Sequence, residues 1–411
     1  MTGLAPIRLV GRWTLEDRLV KQVWGVPFEL PAAARAFTVE LSYDRSAGVL
    51  DLGCEGPARF RGWSGGARSR YTIAPSWATP GYLPGEPEPG AWQVLIGLYR
   101  VPLDGVAYQV TVTPHAVPPA PPGPPAAPPP ALVAPASARR GLPVLDGLRW
   151  HAGELHAHTV HSDGVLTIDE LAALARSQGL DFLAVTDHNT VSHHAELPAA
   201  AARAGITLVP GQEVTTDLGH ANAFGDIGWI DFRRPADAWV REVHDRGGLL
   251  SVNHPLGADC AWRHPFTERP RTAEVWHSGW WDRTWGAPLS WAQAWHDDLV
   301  YVGGGDFHRP EENHPPGAPA TWVLAEPVGD GAGGAAIVEG VRAGRTAVSA
   351  GPEGPLLLRH GGEFLVLDAD GLVLWGPDHR SVIRGDRVTL PARPGPHRLE
   401  TTRNEVMALC T

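Results

Sequence analysis

The sequence predicts an α/β protein: alternating strands and helices closing into a barrel, with a β-sandwich before it and a small β unit after it. Three observations carry this prediction. His and carboxylate motifs recur just past strand-like runs between residues 156 and 308. A Pro-rich stretch at 117–137 cuts that region off from shorter strand-like runs. The pattern turns β-like again from about residue 355.

Residues 1–115 contain Phe37-Thr38-Val39-Glu40-Leu41, Val49-Leu50-Asp51-Leu52 and Trp92-Gln93-Val94-Leu95-Ile96-Gly97-Leu98-Tyr99, with Gly- and Pro-rich turns between them. Tyr108-Gln109-Val110-Thr111-Val112 alternates, as a half-buried strand does. No segment has helical periodicity, so 1–115 is expected to be a β-sandwich. Residues 116–140 form a Pro-rich spacer that favours polyproline II.

Residues 141–354 are expected to form the barrel. Thr167-Ile168-Asp169-Glu170 is a capping box, in which hydroxyl and carboxylate satisfy amides at the start of a helix. Leu171, Leu174 and Ala175 supply that helix's apolar face, and Gly179 stops it. Phe182-Leu183-Ala184-Val185 reads as a buried strand ending at Asp187-His188. A helix near Ala236 to Arg246 stops at Gly247-Gly248, and Leu249-Leu250-Ser251-Val252 then leads to His254. Leu299-Val300-Tyr301-Val302 leads in the same way to Asp306-Phe307-His308. The C-terminal ends of parallel strands are where a β/α barrel gathers its functional groups. Residues 355–411 carry three strand-like runs: Glu363 to Leu367, Gly371 to Trp375 and Arg387 to Leu390.

The 411 residues are 43% hydrophobic and 19% charged, enough for a large core. A formal net charge of -11 argues against a nucleic-acid-binding surface, and no stable nucleic-acid partner is expected. Cys54, Cys260 and Cys410 are far apart and odd in number, which implies no disulfide framework. The first residues have no apolar run suited to a signal peptide, and no stretch is apolar enough to span a bilayer. The expected setting is cytoplasmic, away from membranes.

The motifs run in order: His156-Ala157-His158 with Asp163, Thr186-Asp187-His188-Asn189, Gly211-Gln212-Glu213, Gly219-His220-Ala221-Asn222, Asn253-His254-Pro255 and Gly305-Asp306-Phe307-His308. Imidazoles and carboxylates suit zinc, manganese and iron. Gathered at strand ends they would cost desolvation unless paired or metal-bound. His161 sits where the motif tolerates varied residues, and His193, His194, His244, His264, His296 and His314 match no motif and are not expected to touch metal.

This series resembles the PHP superfamily, the polymerase and histidinol phosphatase metallohydrolases. Gly164 and the run Gly344-Arg345 to Ser349-Ala350-Gly351-Pro352 look like the carbaryl-hydrolase-like branch. The resemblance covers roughly residues 150–355 and implies a distorted (β/α)7 barrel with two or three divalent ions. Carried over by position, one ion would take His156, His158, Glu213 and Asp306. A second would share Glu213 and add His220 and His254. A third would take Asp163, His188 and His308. Many relatives have His where this chain has Asp163, and many have Asn where it has His277. His277 is therefore a further pocket candidate.

The implied chemistry is hydrolysis by a metal-bridging hydroxide, with Glu213 as the central residue. Asp187 is a candidate for orienting water, and Arg309 for contacting phosphate. Three divalent ions bring about +6, while Asp163, Glu213, Asp306 and a hydroxide subtract about four; the surplus suits a phosphate ester of a small molecule. With two ions the site is near neutral, and a carbamate, ester or amide substrate becomes the alternative. A third class is a ligand-binding module without catalysis, disfavoured by the complete ligand set. Trp276, Trp280, Trp281, Trp285, Trp291 and Trp295 could wall the pocket for an aromatic leaving group or pack as ordinary core.

Overall fold

A computed structural model describes residues 4–123, 128, 133–279, 286–329 and 333–411. It divides into two compact units. One holds residues 1–126, 160–163 and 187–193; the other holds 127–159, 164–186 and 194–411.

The first unit carries eight strands: β1 (Ile7–Trp13), β2 (Val23–Leu30), β3 (Ala36–Tyr43), β4 (Val49–Glu55), β5 (Phe60–Gly65), β6 (Arg70–Ile73), β7 (Gly90–Arg100) and β8 (Val106–His115). They form two four-stranded sheets, β1-β8-β3-β6 and β2-β7-β4-β5. All the pairings are antiparallel. Alternation decides which side chains enter the core: Phe37, Val39 and Leu41 of β3 are buried while Glu40 and Ser42 are exposed. Residues of both sheets share one apolar cluster, in which Phe37 and Trp92 meet edge-on at 4.8 Å. A short helix, α1 (Leu15–Val20), departs from the strand-and-turn expectation. Its six residues are too few to show periodicity, and its signal is local: Thr14 and Asp17 form a capping box.

The second unit opens with α2 (Ala136–Arg139) at the end of the Pro-rich stretch. Arg140 docks there, bonding the carbonyls of Pro352 and Gly354 and pairing with Asp368. The following elements are β9 (Arg149–Glu154), α3 (Ile168–Ser177), β10 (Phe182–Val185), α4 (Leu197–Ala204), β11 (Thr207–Thr216), β12 (Gly219–Phe224), α5 (Ala236–Asp245), β13 (Leu249–Val252), β14 (Thr272–His277), α6 (Ala287–Trp295), β15 (Val300–Gly304), β16 (Ala320–Ala325), α7 (Gly334–Arg342) and β17 (Thr346–Ser349). The capping box at Thr167 starts α3 as its sequence predicts.

The sheet is mixed, which a strictly repeating strand-helix pattern would not produce. Strands β9, β10 and β11 are parallel, as are β13, β14 and β15. Between them β12 runs antiparallel to both neighbours, because a tight turn at Asp217 and Leu218 replaces a crossover helix. At the other end β16 is antiparallel to β9. The ladder curls until β15 lies beside β16, where the Thr321 hydroxyl bonds the N–H and carbonyl of Gly303 at 2.8 and 3.0 Å.

The C-terminal strands are β18 (Leu356–His360), β19 (Glu363–Leu367), β20 (Val373–Trp375), β21 (Arg380–Val382), β22 (Arg387–Pro391), β23 (His397–Glu400) and β24 (Val406–Cys410). Strand β24 pairs with β17, and β23, β20 and β21 extend the large sheet to 13 strands. This covers an edge that β17 would otherwise leave with unpaired amides and carbonyls. Strands β18, β19 and β22 form a separate three-stranded sheet. Trp150, Trp322, Leu357, Phe364 and Leu399 share one core. Among the described residues no helix is long and apolar enough to cross a membrane.

Candidate metal centre

The second unit gathers seven of the nine expected ligands. His156 and His158 follow β9, His254 follows β13, and Asp306 and His308 follow β15. Glu213 and His220 come from the β11–β12 hairpin. Its register pairs Glu213 with Asn222 and Thr215 with His220, making His220 a diagonal neighbour of Glu213.

Glu213 is fully buried and its two oxygens face different imidazoles. Oε1 lies 3.2 Å from His156 Nε2, 3.2 Å from His220 Nδ1 and 3.4 Å from His254 Nε2. Oε2 lies 3.5 Å from His158 Nε2. Asn253 Nδ2 donates to Oε1 at 2.8 Å and fixes the carboxylate. Asp306 Oδ1 lies 3.2 Å from His156 Nε2 and 3.1 Å from His158 Nε2. The rings of His158 and His308 stack 4.2 Å apart. His254 and Asp306 both hold positive φ, at 26° and 50°, a strained backbone typical of sites where side-chain direction matters.

The donor set fits a divalent ion. His156 Nε2 is buried and makes no hydrogen bond, although two carboxylate oxygens stand 3.2 Å away. Ligands about 2.0–2.2 Å from one ion are spaced roughly 3.0–3.6 Å from each other, the spacing seen here. Burial opposes a charged His156, but Glu274, Glu213 and Asp306 outweigh it and hold the imidazole well above its ordinary range. Burial likewise pushes Asp306 up, yet His156, His158, His277 and His308 keep its carboxyl well below the usual range. The pocket thus carries a strong pull for positive charge.

Two carboxylates outside the sequence motifs organise this set. Glu274 accepts from His156 Nδ1 at 2.7 Å and from the His254 amide at 2.8 Å, so it fixes the tautomer that turns His156 Nε2 inward. Glu154 accepts from the amides of Leu155, His156, Gly305 and Gly317, tying three segments to one buried side chain. Their signal was a lone Glu inside or ending an apolar strand, where an unpaired carboxylate would be costly. Gly304 makes room for this layer: a Cβ there would stand 2.1 Å from Glu274 Oε1.

His277 lies 3.5 Å from Asp306 Oδ2, with its ring 5.0 Å from that of His254. Together with His156 and His254 it forms a further potential ligand group. Arg309 is half-exposed, with Nε 3.6 Å from Glu312. Trp276 is buried in the core behind β14, against which Trp291 and Trp295 pack. Trp280, Trp281 and Trp285 lie outside the described residues.

Asp163, His188 and Asp187 belong to the first unit. There His188 Nε2 is 3.6 Å from Asp163 Oδ1. Asp187 is fully buried, accepting from Ser162 Oγ at 2.6 Å and lying 3.3 Å from His193 Nδ1.

Parts of the chain are similar to known proteins. Residues 154–272 match the PHP domain. It is 42% identical over 107 residues to the 3',5'-nucleoside bisphosphate phosphatase of Chromobacterium violaceum, covering 26% of this chain and 36% of that one. It is 38% identical over 106 residues to the 5'-3' exoribonuclease Rnm of Escherichia coli, covering 25% and 29%. The chain thus spans about a third of the length of these relatives. A solved structure from Bacteroides vulgatus, a two-domain protein containing a predicted PHP-like metal-dependent phosphoesterase, aligns with 66% of this chain and 97% of its own, at 18% identity and a TM-score of 0.41.

Proposed function

We propose that the chain is a PHP-type metal-dependent phosphoesterase acting on a phosphate ester of a small molecule. Its two or three divalent ions, manganese, zinc or iron, would be held by His156, His158, Asp163, His188, Glu213, His220, His254, Asp306 and His308. The observation that carries the reading is Glu213, whose Oε1 faces His156, His220 and His254 while Oε2 faces His158. Bound ions would supply Lewis acidity and a water acidic enough to act near neutral pH. The protein's part is to hold the imidazoles in one tautomer through Glu274, to exclude bulk water by burying Glu213 and His156, and to offer Arg309 for phosphate. Asp187 contributes by fixing Ser162 beside Asp163.

The phosphatase and exoribonuclease names of the relatives share phosphate-ester chemistry, which supports this choice. The acidic chain favours a small ester over a stable nucleic-acid complex. A cytoplasmic setting, the (β/α)7 description of the sheet, and the division at 115, 140 and 354 belong to the same proposal. The second reading, a carbamate, ester or amide hydrolase of the carbaryl-hydrolase-like branch, rests on the run Ser349-Ala350-Gly351-Pro352.

Matched aryl phosphate, nucleoside bisphosphate, oligoribonucleotide, aryl ester and aryl carbamate substrates, each tried with manganese, zinc and iron, decide between them. Turnover of the phosphate compounds with inhibition by inorganic phosphate is expected. Robust carbamate or ester turnover with inert phosphate esters would overturn it.

A further inference from the structure

We infer that Arg68 and Gly81, in loops of the N-terminal unit, are positioning residues for the candidate ligands Asp163 and His188. The inference rests on Asp163 and His188 being ligands, as proposed above.

Residues 160–163 and 187–193 lie within the region that matches the PHP domain, yet they belong to the first compact unit. Specific bonds hold them there. Arg68, between β5 and β6, sends Nη1 to the Ser162 carbonyl at 3.0 Å and Nη2 to the Val160 carbonyl. A planar guanidinium suits this task, since its rigid fork can pin two carbonyls of one segment at once. The Ser162 carbonyl belongs to the peptide that leads into Asp163, so this bond sets where the Asp163 side chain starts.

Gly81 holds the second segment. Its N–H donates to Ser192 Oγ at 3.0 Å and its carbonyl accepts from Thr190 Oγ1 at 2.9 Å. The approach is close enough to need glycine: φ is +98°, and a Cβ would meet the His161 carbonyl at 2.8 Å and that of Trp63 at 2.9 Å. The segments are also locked to each other, by Ser192 Oγ with His161 Nδ1 at 2.8 Å and by Ser162 Oγ donating to Asp187 at 2.6 Å. Asp163 and His188 each follow a residue of that lock, and their side chains meet at 3.6 Å. A surface loop needing only to be tethered would not require contacts from Arg68, Gly81, Thr190, Ser192 and Ser162 converging beside two potential ligands.

The test counts manganese bound to the full-length chain by calorimetry and metal analysis, with thermal melting in parallel. Asp163→Asn defines the class of ion that depends on this pair. In Arg68→Met that class should weaken about 10–100-fold, the usual loss when a ligand's support is removed, while the class dependent on Glu213 stays as in the wild type. Arg68→Lys should recover part of the loss. Ser192→Ala, a smaller change, should weaken the same class. Arg45→Gln, which loses a bond to the Gly66 carbonyl elsewhere on these sheets, should bind like the wild type. Wild-type stoichiometry and affinity in Arg68→Met and Ser192→Ala would overturn the inference. So would equal weakening of every class, or an Asp163→Asn chain that binds all its ions normally. A chain that shows the expected binding pattern but hydrolyses no phosphate ester would refute the functional reading and leave this one standing.

Discussion

At the scale of single residues, the site depends on carboxylates with separate tasks. Glu213 gathers imidazoles on both of its oxygens, so Glu213→Ala should remove bound metal and nearly all hydrolase activity; unchanged metal content in that variant would sink the ligand assignment. Glu274 bonds His156 at Nδ1. Glu274→Gln should therefore leave the fold intact and lower metal affinity about 10–100-fold, measured by competition with a chelator. His264 offers a check on pH dependence at a position outside the proposed ligand set. It sits against Trp239 and Trp262 with Thr216 Oγ1 at 2.7 Å, and burial pushes its imidazole down to about 4, with Asp217 opposing. The folded chain therefore takes up this proton less readily than the unfolded chain. Its contribution to stability is full above the unfolded value near 6.5 and is lost as pH falls from there toward 4. The melting temperature of the wild type should drop more between pH 7 and pH 5 than that of His264→Asn, and the ring should titrate near 4 by NMR. A ring midpoint near 6.5 would refute this.

At the scale of elements, helix boundaries were legible because their signals are local. The Thr167 capping box needs only four residues, and Thr167→Ala should cost about 1 kcal/mol of stability in a denaturant titration, without touching metal content. The β11–β12 hairpin was not legible in the same way. The motifs Gly211-Gln212-Glu213 and Gly219-His220 were visible, but nothing in them said that a turn would fold one back on the other. Gly304 shows how an element end serves the site. Gly304→Ala would drive a methyl into Glu274, so it should reduce metal affinity much as Glu274→Gln does, although position 304 holds no ligand atom. Normal metal binding in that variant would show that Glu274 can move without consequence.

At the scale of the whole molecule, the compact units are not continuous in sequence. The Pro-rich stretch is conspicuous, yet 160–163 and 187–193 group with the sheets that precede it, and 355–411 group with the large sheet. A fragment starting at residue 141 is expected to keep metal at His156, His158 and Glu213 but to lose the ion class that depends on Asp163, because Arg68 and Gly81 are gone. Full metal content in a soluble 141–411 fragment would contradict that.

The sequence by itself determined which residue types recur, in which order, and at the ends of which strands. It could do so because imidazoles and carboxylates at the ends of apolar runs are costly to bury unless they hold a metal or one another, and because caps, turns and alternation are written within a few residues. The tertiary structure alone decided which carboxylates support the candidate ligands, that β12 reverses the sheet, that β24 continues it past β17, and that Asp163 and His188 belong to the N-terminal unit. Each of these is set by packing and hydrogen bonds between segments far apart in the chain, such as Arg68 with Ser162 or Glu154 with Gly317, and no local pattern records them.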